Sequence, residues 1–394
     1  MLVAALLKLW WRIRGLRQQK GSPHQLLLVA EFGEKGGTRT YLFSLIPFLQ
    51  QQGYHITLLV SGNGIDATMA AWLTQQGVPL LHAPFDFWCV QWHTIPKGLH
   101  RRHLLRYQIK ELHYWCDLIS THRFGSLLFS VGYPEQYLYS FLLPLPITYV
   151  LHTATQQPLD GIKYRVVQYG LRKQQQIITV SHAAQQQLWQ HWCKGQPHNG
   201  IHAVYNSYTP IPLSPAVGKA KPLMVLTIGS LEPYKNPQFF IAVAQQVMAQ
   251  LPDVQFVWAG DGSLMNSSTQ AVAGNKGIRF IGNVDDVVHW YQQATVYFQP
   301  SLLESHGIAV VGAMCHALPC VVANHGGLPE SVLHQKTGYV VPVQDTAAAV
   351  AALLQLLQQP ALCMQMGMAG QQRYQQLFTP MQWQAAMQLL IPHV

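Results

Sequence analysis

Long apolar runs are missing from this chain. No stretch reaches the ~20 apolar residues that a membrane-spanning helix needs, and "FLLPLPITYVL" is short and broken by two prolines. Cysteine is sparse: Cys89, Cys116, Cys193, Cys315, Cys320 and Cys363 contain no CxxC spacing. That argues against a metal site or a disulfide framework, and for reduced core thiols in a cytoplasmic protein. Low-complexity runs are absent, and with 49% apolar residues the chain reads as well packed and globular. No interleaving of basic and aromatic residues marks a nucleic-acid binder, so no nucleic-acid partner is expected. Charge is thin, at 10% of 394 residues, a length too great for one core and suited to two domains.

The charge that is present is uneven. Residues 1–205 hold 18 Lys and Arg against 8 Asp and Glu, while residues 206–394 hold 7 against 8. A basic first half suits an anionic partner or simply a solvated surface. In "MLVAALLKLWWRIRGLRQQK", Leu2, Leu6, Leu9, Ile13 and Leu16 step along one helical face. Trp10 and Trp11 lie between that stripe and the basic residues, Arg12 and Arg14 among them. This is the composition of a helix lying in a membrane interface; a helix packed on its own domain gives the same pattern. "KGLHRRHLLRYQIKEL" adds Arg101, Arg102 and Arg106 on a second basic face. The expectation is a segment 1–22 that holds a cytoplasmic protein on the inner face of the cell membrane, an anionic surface.

From residue 25 apolar strands alternate with helices. "QLLLVAEF" and "YHITLLV" are strands, with further candidates at 78–82, 117–121, 147–151, 176–180 and 201–205. The stretch 206–222 holds four prolines and no periodicity and reads as a linker. Alternation then restarts with "LMVLTIG", "VQFVWAG", "IRFIG", "TVYFQ", "PCVVA" and "GYVVP". The pattern predicts an α/β protein with two Rossmann-like, doubly wound domains, 23–205 and 223–376, and a terminal helix in 377–394 returning to the first. Ligands of such sheets bind outside the carboxyl ends of the strands, here in the cleft between the domains.

The strand ends carry the unusual residues. "SLEPYKN" sets Lys235 just before a helix, where an anion is favoured; a solvent-facing lysine is the plain alternative. "NVDD" follows "FIG" as a turn. Glu304 follows "VYFQPS" and precedes Ser305, His306 and Gly307 at a helix start. It serves either as an acceptor for hydroxyls or as a helix cap. In the first half, Gly36 and Gly37 form a phosphate-type turn after the first strand, and His152 stands just past another.

In this order the segments resemble the retaining nucleotide-sugar glycosyltransferases of family 4 (GT4), which have the GT-B fold, over roughly residues 24–390. The family's "GRLxxxKG" appears as "GSLEPYKN", its "ESFGLxxxEAMA" as "ESHGIAVVGAMC", and "GGLPE" is intact at 326–330. The resemblance implies a UDP- or GDP-linked sugar as donor substrate, a glycan or lipid-linked acceptor, and no metal or other cofactor. It implies that His152, Glu304 and Lys235 are catalytic. Gly36, Gly37, Ser230, Lys235, Asn283, Val284, Glu304, Ser305, His306 and Gly307 would bind the donor. Lys235 would neutralise the leaving diphosphate, Glu304 would hold sugar hydroxyls, and His152 would contact the sugar. Surface polysaccharide or glycolipid assembly is the implied role. Two positions depart from the pattern. The phosphate-binding arginine is Ser230, and the second carboxylate, which holds the ribose, is Gly312. Those losses keep open a second reading, a GT-B-fold binding or scaffold subunit without turnover.

Overall fold

A computed structural model describes residues 2–18, 21–31, 37–61, 65–83, 100–132, 137–155, 157–159, 161–173, 175–210, 222–391 and 394. They fall into two compact units: Met1–Val180 with Ala184–Val204 and Met387–Val394, and Ser181–Ala183 with Tyr205–Ala386. Both are α/β units built on parallel sheets. Gly36, Cys89 and most of the expected linker, 211–221, lie outside the described residues.

The first unit runs α1 (Leu2–Gln18), β1 (Ser22–Ala30), α2 (Gly37–Gln51), β2 (His55–Ser61), α3 (Ala67–Gln75), β3 (Leu80–Ala83), α4 (His100–His122), β4 (Phe124–Val131), β5 (Ile147–Leu151), α5 (Gly161–Arg172), β6 (Gln176–Thr179), α6 (His182–Trp192) and β7 (Ile201–Ala203). Its sheet order is β3-β2-β1-β4-β5-β6-β7. The strands are apolar because both faces of the sheet are covered. Trp115, Phe129, Phe141 and Tyr149 fill the core, with Phe141 and Tyr149 stacked at 4.4 Å. The terminal residues join this unit: Tyr41 Oη donates to Met387 Sδ at 3.8 Å, and Val394 N donates to Gln52 O at 3.1 Å.

One expectation is corrected here. Residues 117–121 are not a strand but the last turns of α4, and the strand is β4. Leu112, Trp115, Cys116 and Ile119 are all buried and recur at helical spacing. From Leu9 to Leu16 the apolar stripe of α1 faces inward. Leu9 and Leu16 are buried, Ile13 packs on the same core, and Arg12 pairs with Asp117 at 2.7 Å. Outward stand Trp10 and Trp11, 52% and 62% exposed, with the Arg14 guanidinium 5.2 and 5.6 Å from their ring centroids. Arg101, Arg102 and Arg106 fall within α4, and their side chains lie outside the described residues. No single helix among the described residues is long and apolar enough to cross a membrane.

The second unit runs β8 (Met224–Ile228), α7 (Pro237–Met248), β9 (Gln255–Ala259), α8 (Met265–Ala271), β10 (Ile278–Phe280), α9 (Val287–Gln293), β11 (Val296–Gln299), α10 (Ile308–Cys315), β12 (Cys320–Ala323), α11 (Leu328–Ser331), β13 (Gly338–Val341), α12 (Thr346–Gln358), α13 (Pro360–Leu377) and most of α14 (Pro380–Leu390). The order β10-β9-β8-β11-β12-β13 makes a doubly wound sheet that switches direction between β8 and β11. Alternate residues of one strand serve opposite cores: Phe256 and Trp258 pack on one side, and Val257 on the other. The five described cysteines are buried and free.

Candidate active site

The switch point of the second sheet decides which residues meet. The loops leaving β8 and β11 start side by side, so Lys235 from one loop meets Glu304 from the other. Lys235 closes a 3-10 turn, Pro233–Lys235, and Asn236 then takes the left-handed conformation, φ 64°, before α7 begins. Lys235 Nζ donates to Glu304 Oε2 at 2.5 Å, with 14% and 15% of the two side chains exposed. Burial alone would lower the ammonium's pKa. The Glu304 charge and hydrogen bond outweigh it and hold Lys235 above its ordinary value.

Glu304 is braced from below by a hydrogen-bonded chain. Ser301 Oγ donates to Glu304 Oε2 at 3.4 Å, and Gln299 Nε2 donates to Ser301 Oγ at 2.7 Å. Tyr297 Oη donates to Gln299 Oε1 at 2.7 Å and accepts from Ile228 N at 3.2 Å, at the end of β8. Tyr297, Gln299 and Ser301 are all essentially without solvent exposure. The chain thus ties the Glu304 carboxylate to the start of the loop that carries Lys235. A polar relay inside an apolar sheet stays buried only because each member is satisfied.

The motif glycines clamp backbone. Gly326, at φ 55°, has no room for a side chain, because a Cβ would fall 1.8 Å from Glu304 O. A Cβ on Gly260 would fall 2.0 Å from Gly229 O. Each glycine lets a neighbouring loop press against a site loop. Glu330 of "GGLPE" accepts from His182 N at 2.9 Å and Ala183 N at 2.5 Å, both within the second unit. Arg373 donates to Glu330 O and Ser331 O at 2.6 and 2.9 Å, a role that sequence reading missed.

Asn283 is exposed and Val284 half-buried in the turn before α9. Ser305 is half-buried, and Gly307 caps α10 at φ 89°. The His306 ring is 1% exposed, stacks on Tyr205 at 5.1 Å, and lies with Nε2 3.5 Å from Ser331 Oγ. Burial pushes its pKa down to about 3, so the imidazole is neutral. Ser230 Oγ lies 3.2 Å from Tyr234 Oη, and Tyr234 is 41% exposed. Gly312 is buried in α10. A Cβ there would meet Tyr291 Oη at 2.6 Å and Tyr208 Cε2 at 3.0 Å. The space that a second carboxylate's stem would cross is filled by two tyrosines.

In the first unit, the sheet switches direction between β1 and β4. Three strand ends contribute there. His152 follows β5, with Nε2 2.9 Å from Ser130 Oγ and its ring edge-on to Tyr41 at 4.8 Å. Burial pushes its pKa down to about 4. Gly37 is exposed at the start of α2. Glu31, missed in the sequence, is 3% exposed at the end of β1, and its Oε2 accepts from Gly132 N at 2.7 Å, tying β1 to β4. The signal for it was an acidic residue closing an apolar strand.

Two parallel doubly wound sheets, the second with a lysine–glutamate pair at its switch point, define a GT-B protein. The family model "Glycosyltransferase Family 4" matches residues 35–209, and "Glycosyl transferases group 1" matches residues 222–359. The chain belongs to the GT4-like glycosyltransferases. It is 28% identical over 135 residues to the UDP-Gal:alpha-D-GlcNAc-diphosphoundecaprenol alpha-1,3-galactosyltransferase of Escherichia coli, covering 33% of this chain and 35% of that one. It is 30% identical over 227 residues to the phosphatidyl-myo-inositol mannosyltransferase of Mycobacterium leprae, covering 55% and 59%. The chain therefore spans between about a third and a little over half of the curated relatives' lengths. Anabaena HepE, solved with UDP-glucose, superposes with a TM-score of 0.70 at 17% identity, covering 94% of this chain and all of that one.

Proposed function

We propose that this glycosyltransferase moves a sugar from a UDP- or GDP-linked donor to a glycan or lipid-linked acceptor, with retention at the anomeric carbon. The observation that carries the reading is the Lys235–Glu304 pair at the switch point of the second sheet. A nucleotide sugar offers what both partners seek. Its diphosphate matches the Lys235 ammonium, and its hydroxyls can donate to the Glu304 carboxylate. The chemistry then asks for positioning and charge stabilisation of the departing diphosphate, which takes up the acceptor's proton. No metal or further cofactor enters this scheme. For the first unit the proposal rests on His152, whose neutral ring suits contact with an uncharged sugar.

The E. coli and M. leprae relatives are named for lipid-linked acceptors, and HepE was solved with UDP-glucose. They favour a lipid-linked acceptor and a role in surface polysaccharide or glycolipid assembly. Trp10, Trp11 and Arg14 offer a surface for the inner face of the cell membrane. Transfer and donor hydrolysis, measured over a panel of UDP- and GDP-sugars, test the reading, with anomeric configuration followed by NMR. Lys235→Ala and Glu304→Ala should each cut turnover by about two orders of magnitude, the worth of a preorganised charge in a dry site. A chain that binds nucleotide but turns over no donor with any acceptor would support the scaffold reading, motivated by the losses at Ser230 and Gly312.

A further inference from the structure

The loop after β8 has lost its arginine, yet its surface is not bare. Ser230 Oγ and Tyr234 Oη lie 3.2 Å apart, on a half-buried and an exposed residue. Tyr234 is held in place by its backbone, since its carbonyl accepts from Leu302 N at 2.7 Å and Leu303 N at 3.3 Å. Those amides belong to the loop that carries Glu304. The Lys235 ammonium stands 5.3 Å from the Tyr234 ring centroid. The Lys235 stem passes beside Gly229, its Cε 3.7 Å from where a Cβ would stand. The Tyr234 ring therefore stands beside the cation that the donor-site reading assigns to the diphosphate, and its hydroxyl is paired with Ser230 on the same loop.

Resting on that reading, we propose that Ser230 and Tyr234 form a hydroxyl pair that binds the terminal phosphate of a nucleoside diphosphate beside Lys235, in place of the lost arginine. One hydroxyl donates to the other, which leaves one O–H to point outward, polarised by its neighbour. A phosphate oxygen is the acceptor such a donor suits best, because a hydrogen bond to a charged group is stronger than one between neutral groups. The pair adds a donor without a second positive charge. Tyr234 is then a positioning and specificity residue: it reads the presence of the second phosphate.

The test is calorimetry on the full chain with UDP, UMP, GDP and GMP. Tyr234→Phe and Ser230→Ala should each weaken the diphosphate of the preferred base about tenfold. The matching monophosphate should change by less than about twofold, and its binding also shows that each variant is folded. A purely structural role for Tyr234 would move both nucleotides together. Diphosphate affinity left at the wild-type value in both variants, or an equal loss for the monophosphate, would overturn the hydroxyl pair and leave the donor site standing. A wild-type chain that binds none of the four nucleotides would overturn both.

Discussion

A side chain on Gly312 would collide with the Tyr291 hydroxyl, which lies 2.6 Å from the position of a Cβ and donates to Ala309 O at 2.9 Å. The tyrosine is thus locked to the same helix that it crowds. Gly312→Ala should lose about 1–2 kcal/mol of stability, although alanine gains up to ~1 kcal/mol of helix propensity over glycine. In a Tyr291→Ala background the same change should be neutral or stabilising. Urea denaturation of the four variants gives the coupling, and additive effects would count against it.

Gln299 links Tyr297 to Ser301 beneath Glu304. Gln299→Leu keeps the volume and leaves the Ser301 hydroxyl with one partner fewer. Stability should drop by about 1–3 kcal/mol, the cost of a buried polar group left unsatisfied. In the proposed transfer kcat should also fall, by roughly tenfold. Gln299→Glu, which can still accept from Tyr297, should lose less stability than Leu only at a pH low enough to protonate it. Steady-state kinetics beside denaturation profiles at two pH values check both parts.

Two buried groups, one in each unit, respond to pH in opposite senses, while His152 in the first unit, held at about 4, responds in the same sense as His306. His306 is held at about 3, while an unfolded histidine titrates near ~6.5. Between those values the unfolded chain binds a proton that the folded one refuses. The second unit should therefore lose about 1.4 kcal/mol per pH unit as pH falls below ~6.5. His306→Phe should flatten that slope. In the first unit, burial raises the Glu111 carboxyl to about 7, against a bond from Trp115 Nε1. Here the folded chain holds the extra proton, so stability present at pH ~4 is lost as pH rises through 7, and Glu111→Gln should remove that loss. Unfolding followed by proteolysis or hydrogen exchange in each unit separates the two.

Trp10 and Trp11 are exposed, while Leu9 and Leu16 of the same helix are buried. Replacing both tryptophans by alanine should leave the fold and Tm unchanged. It should weaken binding to vesicles containing anionic lipid by about tenfold or more, as expected of interfacial aromatic anchors. Binding should also fall with salt, because basic residues contribute ~1 kcal/mol each near such a surface. Flotation of wild type and variant with anionic and neutral vesicles checks this. Unchanged flotation would remove the membrane from the proposal.

The strands of the second unit were legible because buried parallel strands read as continuous apolar runs closed by turn residues, as in "VLTIG" and "VQFVWAG". The segment 117–121 misled for the same reason. Leu118 and Ile119 form a short apolar pair, and the longer helical stripe through Leu112 and Trp115 decides the outcome. Lys235 and Glu304 stood out as charged residues at strand ends. Their bond to one another spans 69 positions in the chain, and only the sheet order brings it about. The core that receives Leu9, Ile13 and Leu16 of α1 is built from Leu112, Trp115 and Ile119 of α4, far along the chain. The tyrosines over Gly312 come from two other segments of the chain, so sequence reading could register the missing carboxylate but not what replaced it.

The Lys235–Glu304 bond has a consequence for turnover in the proposed reaction. An intact donor satisfies both partners at once, with phosphate for the ammonium and hydroxyls for the carboxylate. After transfer, the nucleoside diphosphate left behind satisfies only the ammonium and leaves Glu304 without its counter-ion. Re-forming the pair then competes with the product for Lys235. The empty protein thereby acts as an internal competitor that discriminates against its own leaving group. Product inhibition should be weak relative to donor affinity, and weaker in wild type than in Glu304→Gln, where no carboxylate waits to reclaim the lysine.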